Sequence, residues 1–403
     1  MLRNLCTDIK HINSHLNLMS VRSLLVILFI FVRGMYAPVV AQEASAQDVT
    51  SVKRNYPLKI SSKDTTTLHR KQLTFFPVIY RSPETGLAYG ALALGLFKMI
   101  GVTDSLTRTS NLELPIILTA QKQFVVDLLY TLITNHEKYF IRGFNQYNNF
   151  SEYYYGIGNN TPATNRTFVK YQSLRTNQRV LRRVTKRHFV GLQYQYYKVS
   201  NTTFPDTLIS DPGNKRLGYG GFTTAGLGPV YLYDSRDNVI NSSHGAYVEL
   251  STLFCAPSLG SQFQFYNISL DARKFIPIGK GQVLALQGIV NHNQGDVPWR
   301  QMATMGGFSM MRGYYLGRHR DKNYIAAQAE YRLHIWKFFG MAFFASTGEV
   351  ASQIEKMKAS ELKFAGGTGL RFRVDKKERV NLRFDVGFGT GTPGYYLTIG
   401  EAF

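Results

Sequence analysis

The chain has 403 residues, enough for one large domain or two to three ordinary ones, and 35 Gly, 25 Tyr and 27 Phe with only 18% charged residues make it rich in strand and turn formers. Its mean hydropathy of -0.16 is not strongly apolar, as expected of a transmembrane β-barrel, in which only one face of each strand meets lipid. The formal net charge of +21 raises nucleic acid as a partner, but the basic residues are spread through Tyr-rich alternating segments without a nucleic-acid motif, so a basic lumen or contact with anionic headgroups is the better account. With only two cysteines, Cys6 and Cys255, a zinc cluster is excluded by count.

From Leu24 the chain runs LLVILFIFV, nine apolar residues preceded by Arg22 and followed by RGMYAPVVAQ. A basic start, a short apolar core and small residues at Val39 and Ala41 predict a secretory signal over 1–41, with Met19 a candidate true start. Nine residues are too few for the ~20 that span a bilayer. Residues 42–72 are polar and aperiodic and read as a flexible periplasmic leader.

From Leu73 to Phe403 nearly every segment alternates with period two. Strand and turn signals predict strands at 73–81, 86–98, 107–120, 124–134, 138–147, 167–184, 187–200, 217–233, 245–255, 262–276, 282–293, 322–336, 339–350, 362–374, 379–390 and 394–403. In YIAAQAEYRLHIW, Ile325, Ala327, Ala329, Tyr331, Leu333 and Ile335 share one face and Gln328, Glu330, Arg332 and His334 the other. RVNLRFDVGFG repeats this, with Val380, Leu382, Phe384, Val386 and Phe388 opposite Asn381, Arg383 and Asp385. An apolar face turned to lipid and a charged face turned to a lumen fit an antiparallel barrel of 16 strands, an even number as bacterial barrels have. Connections alternate between short ones (NHEK, TKR, PIGKG, KF, DKKE) and long ones (148–166, 201–216, 294–321, 351–361). That asymmetry predicts an outer-membrane barrel with its N-terminus in the periplasm.

The stretch GGFSMMRGYYLGRHRDK, Gly306 to Lys322, falls between the eleventh and twelfth strands, on the long-loop side. Here the chain resembles the BamA/TamA superfamily of outer-membrane assembly barrels, also called bacterial surface antigens. In that family the sixth extracellular loop folds into the lumen with an Arg-Gly-aromatic tip, which corresponds to Arg312, Gly313 and Tyr314. The resemblance implies Glu330 as one lumen partner of the arginine and puts Ser346 where the family has an Asp, so the expectation is a lone Arg312–Glu330 pair with a hydroxyl helper. YDSRDNVINSSHG is similar to a family turn and supplies Asp234, Arg236, Asp237, Asn238 and Gly245. The ending LTIGEAF is similar to the family's last strand, with Gly400 at the kink, Phe403 as the sorting signal, and Glu401 as a departure from an apolar residue. The resemblance covers about residues 73–403.

The family's assembly factors carry POTRA domains before the barrel, whereas the leader's roughly thirty residues lie below the ~40 that a domain needs. The chain is therefore expected to be a barrel-only member. The resemblance implies insertion or translocation of protein or lipid through a seam between the first and last strands. It also implies partners: outer-membrane lipids and lipopolysaccharide, the barrel assembly machinery during biogenesis, and a separate periplasmic protein in place of the missing arm. No cofactor is expected. A substrate-selective pore and a surface-exposed structural or adhesion barrel remain as alternatives. The aromatic stretch Asn145 to Asn160 reads either as an interfacial girdle, the preferred reading, or as a sugar-binding loop. For catalysis the nearest grouping is His244 beside Ser242 and Ser243, which reads better as a turn, and Asp234 and Arg236 read as a turn closed by a salt bridge rather than a cation site.

Overall fold

The structure, a computed structural model, describes residues 72–82, 85–103, 107–204, 217–375, 379–390 and 393–403. The predicted signal 1–41, and the leader 42–72 except its last residue, lie outside the described residues. The strands are Gln72–Ser82 (β1), Gly86–Phe97 (β2), Ser110–Thr119 (β3), Phe124–Ile133 (β4), Tyr139–Tyr154 (β5) and Thr167–Arg183 (β6). They continue with His188–Ser200 (β7), Phe222–Asp234 (β8), Gly245–Cys255 (β9), Phe265–Gly279 (β10), Gln282–Gly295 (β11), Ala303–Met305 (β12) and His319–Asp321 (β13). The last five are Asn323–Trp336 (β14), Phe339–Ala351 (β15), Lys363–Asp375 (β16), Val380–Phe388 (β17) and Gly394–Ile399 (β18).

Sixteen of these form one antiparallel sheet in chain order, and β12 and β13 pair separately inside the connection between β11 and β14. The sheet curls until β1 and β18, its two edges, come within 8 Å of each other between Cα atoms. Alternation fixes which side chains face inward. On β14 Gln328, Glu330 and Arg332 are buried while Ala327 and Ile335 are exposed; on β17 Asn381, Arg383 and Asp385 are buried while Phe384 and Phe388 are exposed. This is inside-out relative to a soluble sheet: charge faces the interior and apolar side chains face outward.

Several boundaries differ from the sequence reading: β5 continues through Tyr154 where a loop from 148 was expected, β3 starts at Ser110 and β8 at Phe222, β10 runs Phe265–Gly279 rather than 262–276, and β18 ends at Ile399 rather than 403; the long segment 294–321 also contains the β12–β13 hairpin. The aromatic stretch is thus partly strand, and its Tyr154 and Tyr155 are buried rather than exposed at a rim, whereas Tyr147 does face outward.

Candidate functional site

The segment between β12 and β13 carries Arg312 on a tight turn. Tyr314 N–H donates to the Met311 carbonyl and Gly307 N–H to the Tyr314 carbonyl, both at 3.1 Å. Met311 and Gly313 take left-handed φ values of 55° and 116°, a conformation that favours glycine at the second position. A Cβ on Gly313 would lie 2.5 Å from the Phe388 backbone, and one on Gly387 2.6 Å from the Arg312 carbonyl. Glycine on both sides therefore lets the tip lie directly against the backbone of β17. Gly313 N–H donates to the Tyr396 hydroxyl on β18 at 3.0 Å, and the Tyr314 hydroxyl pairs with Thr390 at 2.9 Å.

Arg312 is fully buried. Its Nη2 donates to Glu330 Oε2 at 2.6 Å, its Nη1 donates to Asp385 Oδ2 at 2.5 Å, and the guanidinium lies 3.5 Å from the centre of the Phe344 ring. The second partner is a carboxylate on β17, not the hydroxyl of Ser346. Ser346 stands opposite Gln328, one inward position along β15 from Phe344, and its hydroxyl donates to the Ala365 carbonyl at 3.4 Å. The expected lone pair is thus corrected to a two-carboxylate clamp. The reason is charge: a buried guanidinium with five donors is held far better by two anions than by one anion and an alcohol.

The clamp belongs to a larger network. Arg371 donates to Asp385 Oδ1 at 2.6 Å and to Glu401 Oε2 at 2.8 Å, while Arg332 donates to Glu330 Oε1 at 2.8 Å and to the Phe403 backbone oxygen at 2.9 Å. Arg383 reaches Thr398 Oγ1 at 2.8 Å and, from the loop, the Phe308 carbonyl at 3.1 Å. Four arginines therefore share three carboxylates, and Arg312 Nε, Arg332 Nη1, Arg371 Nη2 and Arg383 Nη1 are buried with no hydrogen-bond acceptor. An incompletely satisfied buried network costs desolvation without full return. Past β18 the chain kinks at Gly400 (φ 87°) and turns inward, with Phe403 buried against Phe275 and Glu401 accepting from Asn381 at 2.6 Å. Glu401, out of place as an apolar sorting residue, is explained by the arginine it meets.

At its base the same long connection is anchored separately. Trp299 is fully buried among Tyr154, Tyr171, Phe204 and Tyr219, and its indole N–H donates to the Gly218 carbonyl at 3.1 Å. Arg300 and Arg320 both grip Glu152, each at 3.0 Å.

At the short-turn end, Arg236 donates to Asp234 at 2.9 Å and 3.1 Å, closing the turn internally. Arg108 joins Asp234 at 3.3 Å to Glu137 at 2.8 Å. Asp237 accepts from the Ser243 hydroxyl at 2.5 Å and from Arg379, beside β17, at 2.6 Å, so the turn reaches across to a distant hairpin. Asn238 caps the Ile240 and Asn241 N–H groups, both at 2.8 Å, and Gly245 (φ 103°) begins β9. Burial raises the Asp237 carboxyl, but the hydrogen bonds from Ser243, the backbone N–H groups of His244 and Ser243, and Arg379 outweigh it and hold it below its ordinary value. The Ser243 hydroxyl donates straight to the carboxylate, and His244 stands 3.4 Å away on an exposed edge, an arrangement that shapes a turn.

Sequence reasoning missed Asp385, Arg371, Glu401, Arg108 and Glu152 as partners. Alternation already put Asp385 on the inner face, but which inward carboxylate meets Arg312 is set by where the loop lands, which no local pattern encodes.

Residues 111–403 match the family model of the Omp85 superfamily domain. Among solved structures, the chain is similar to BamA from Haemophilus ducreyi lacking POTRA domains 1-3 (TM-score 0.54, 15% identity, covering 82% of this chain and 70% of that one). It is also similar to CdiB from Acinetobacter baumannii (0.52, 11%, 83% and 66%) and CdiB from Escherichia coli (0.53, 9%, 81% and 67%). The chain thus spans about two thirds of the length of these structures, and at such identities they speak for the fold alone. No curated protein matches the chain. With a family match over most of its length, inward charge and outward apolar faces on its strands, the chain belongs to the Omp85 superfamily of outer-membrane β-barrels.

Proposed function

We propose that this protein inserts or translocates protein or lipid at the outer membrane through a lateral seam between β1 and β18. The observation that carries the reading is the sheet's two edges: they lie side by side, yet neither has the other as a strand partner among the described residues. β18 has only six residues against eleven in β1, and Pro77 removes one backbone donor from β1. Weak pairing is what lets a wall open sideways.

The loop tip supports a second part of the proposal. Arg312 and Gly313 hold β17 and β18 through Asp385 and Tyr396, so the latch bears on the strands next to the seam. Arg312 Nε has no acceptor in the latched position, so release regains solvation for that one group and costs less than the two carboxylate contacts alone. In this reading the latched loop keeps the seam shut, and withdrawal of Arg312 frees the last two strands. Residues 1–41 are read as the signal, 42–72 as a periplasmic leader and 73–403 as the barrel, with the short-turn end toward the periplasm. The proposed partners are the assembly machinery during biogenesis, a separate periplasmic protein, and the lipids and lipopolysaccharide around the wall. The role is read as non-enzymatic.

The test is depletion in native cells with mass-spectrometric quantification of every other outer-membrane barrel. A broad fall, rescued by the native chain and not by Arg312→Ala, is expected. An unchanged set of barrels together with unchanged lipid asymmetry would overturn the reading.

A further inference from the structure

The inner face of β3 to β6 lines a cavity of about 420 Å³, whose walls include Glu113, Leu129, Arg142, Phe144 and Arg179. That size falls within the roughly 300–1,000 Å³ of small-molecule sites. Strand register puts these side chains on one face. Glu113 stands opposite Leu129, Leu129 opposite Phe144 and Arg142 opposite Arg179, in step with the buried Phe140 and Leu181.

Charge is divided between the walls. On β3, Glu113 accepts from Asn111 Nδ2 at 2.8 Å and meets no cation within ion-pair distance among the described residues. On β5 and β6, Arg142 and Arg179 share the one carboxylate of Glu249. Arg142 Nη1 donates to it at 3.4 Å and to the Tyr247 hydroxyl at 3.3 Å, while Arg179 Nη1 donates to its other oxygen and Arg179 Nε to Gln193 at 3.2 Å. Glu249 and Tyr247 thus hold Arg142 away from Glu113. Nη2 of both arginines and Nε of Arg142 have no acceptor among the described residues. Further along β6, Arg175 has no ion pair among them either. Its guanidinium lies 5.8 Å from the centre of the Phe144 ring and 5.6 Å from that of Tyr197, and its Nε is buried without an acceptor. Three guanidiniums on this wall therefore have one carboxylate between them, and the β3 wall has a carboxylate with no cation.

We infer that the cavity binds a phosphate that carries an ammonium group two carbons away, either free or as the headgroup of a phospholipid. The spare N–H groups of Arg142 and Arg179 suit an anion with several acceptor oxygens, which arginine forks bind best. Glu113 suits the ammonium. A plain anion would leave Glu113 unmatched and be repelled by it, and a plain cation would meet three guanidiniums. The strands β3 and β5 are two spacings apart, about 10 Å, so the ligand's charges must be separated along its length. An α-amino acid, with one carbon between its charged groups, spans less of that gap. Leu129 and Phe144 lie between the two poles and give the connecting carbons an apolar floor. The inference does not rest on the seam and would stand for a barrel that never opens.

The test is calorimetric titration of the purified full chain, in an uncharged maltoside detergent, with phosphoethanolamine, inorganic phosphate, ethanolamine and glycine. The expected result is one phosphoethanolamine per chain, bound at least about ten-fold more tightly than any of the other three, as the loss of one charged contact implies. Glu113→Gln keeps an oxygen for Asn111 and should weaken phosphoethanolamine about ten-fold without weakening phosphate. No binding, equal binding of phosphate or ethanolamine, tighter binding of glycine, or indifference to Glu113→Gln would each overturn the inference. Titration with dihexanoyl phosphatidylethanolamine separates the two sources: tighter binding than the free headgroup assigns the site to a lipid, and weaker binding assigns it to the free phospho-amine. Should Glu113→Gln lose heat-modifiable mobility, the four-ligand comparison on the native chain decides alone.

Discussion

Arg312 shows how one side chain can be both fully buried and only partly satisfied. Removing either carboxylate leaves an uncompensated buried cation, so Glu330→Ala and Asp385→Ala should each destabilise by about 3–5 kcal/mol in detergent unfolding. Combined with Arg312→Ala, each should be strongly non-additive. Ser346→Ala should cost no more than about 1 kcal/mol, the worth of one weak neutral hydrogen bond; a loss as large as that of Asp385→Ala would restore the serine as the arginine's partner. At the short-turn end the sign of the pH effect follows from Asp237. Its carboxyl titrates below the ordinary 3.8 in the fold, so its contribution is complete above the unfolded value of about 3.9. It is lost as pH falls through the lower folded value. Asp237→Asn should therefore be less stable at neutral pH and should flatten the stability curve below about pH 4, measured as the temperature at which heat-modifiable mobility is lost.

Among the elements, the long connection between β11 and β14 is held at two separate places. Trp299 with Glu152 fixes its base, and the Arg312 clamp fixes its tip on β17 and β18. Gly387→Ala pushes a methyl into the Arg312 carbonyl and should lift the tip at a cost of about 1–3 kcal/mol. The checkable consequence is faster maleimide labelling of Ser309→Cys with the base still protected. These two anchors also explain which parts of the fold could be read beforehand. β14 and β17 are flanked by lipid on one side and charge on the other, so their alternation is nearly perfect. β5 is different because its last residues, Asn148 to Tyr154, run beyond the apolar band: the ladder to β6 continues through Tyr154↔Thr167 while the outward apolar signal fades. The β12–β13 hairpin has three residues per strand, too few for any period to register. The clamp was legible as an arginine and an inward glutamate; Asp385 was legible as inward, and only the landing point of the loop was not.

For the molecule as a whole, ties at both ends and a loop tip inside leave little room for a passive pore. Planar-bilayer current through the native chain should be small and flickering, and deletion of residues 306–320 should enlarge it several-fold; a large steady current from the native chain would favour the pore instead. The account's centre is the meeting of β1 and β18, which lie side by side without being strand partners among the described residues and which matter only if the wall can pass a client. The most direct measurement is reconstitution of the purified full chain into vesicles, followed by the rate at which an added unfolded outer-membrane barrel becomes heat-modifiable and protease-protected. The account predicts clear acceleration over vesicles carrying a closed barrel of similar size. Equal rates in the two preparations would contradict it.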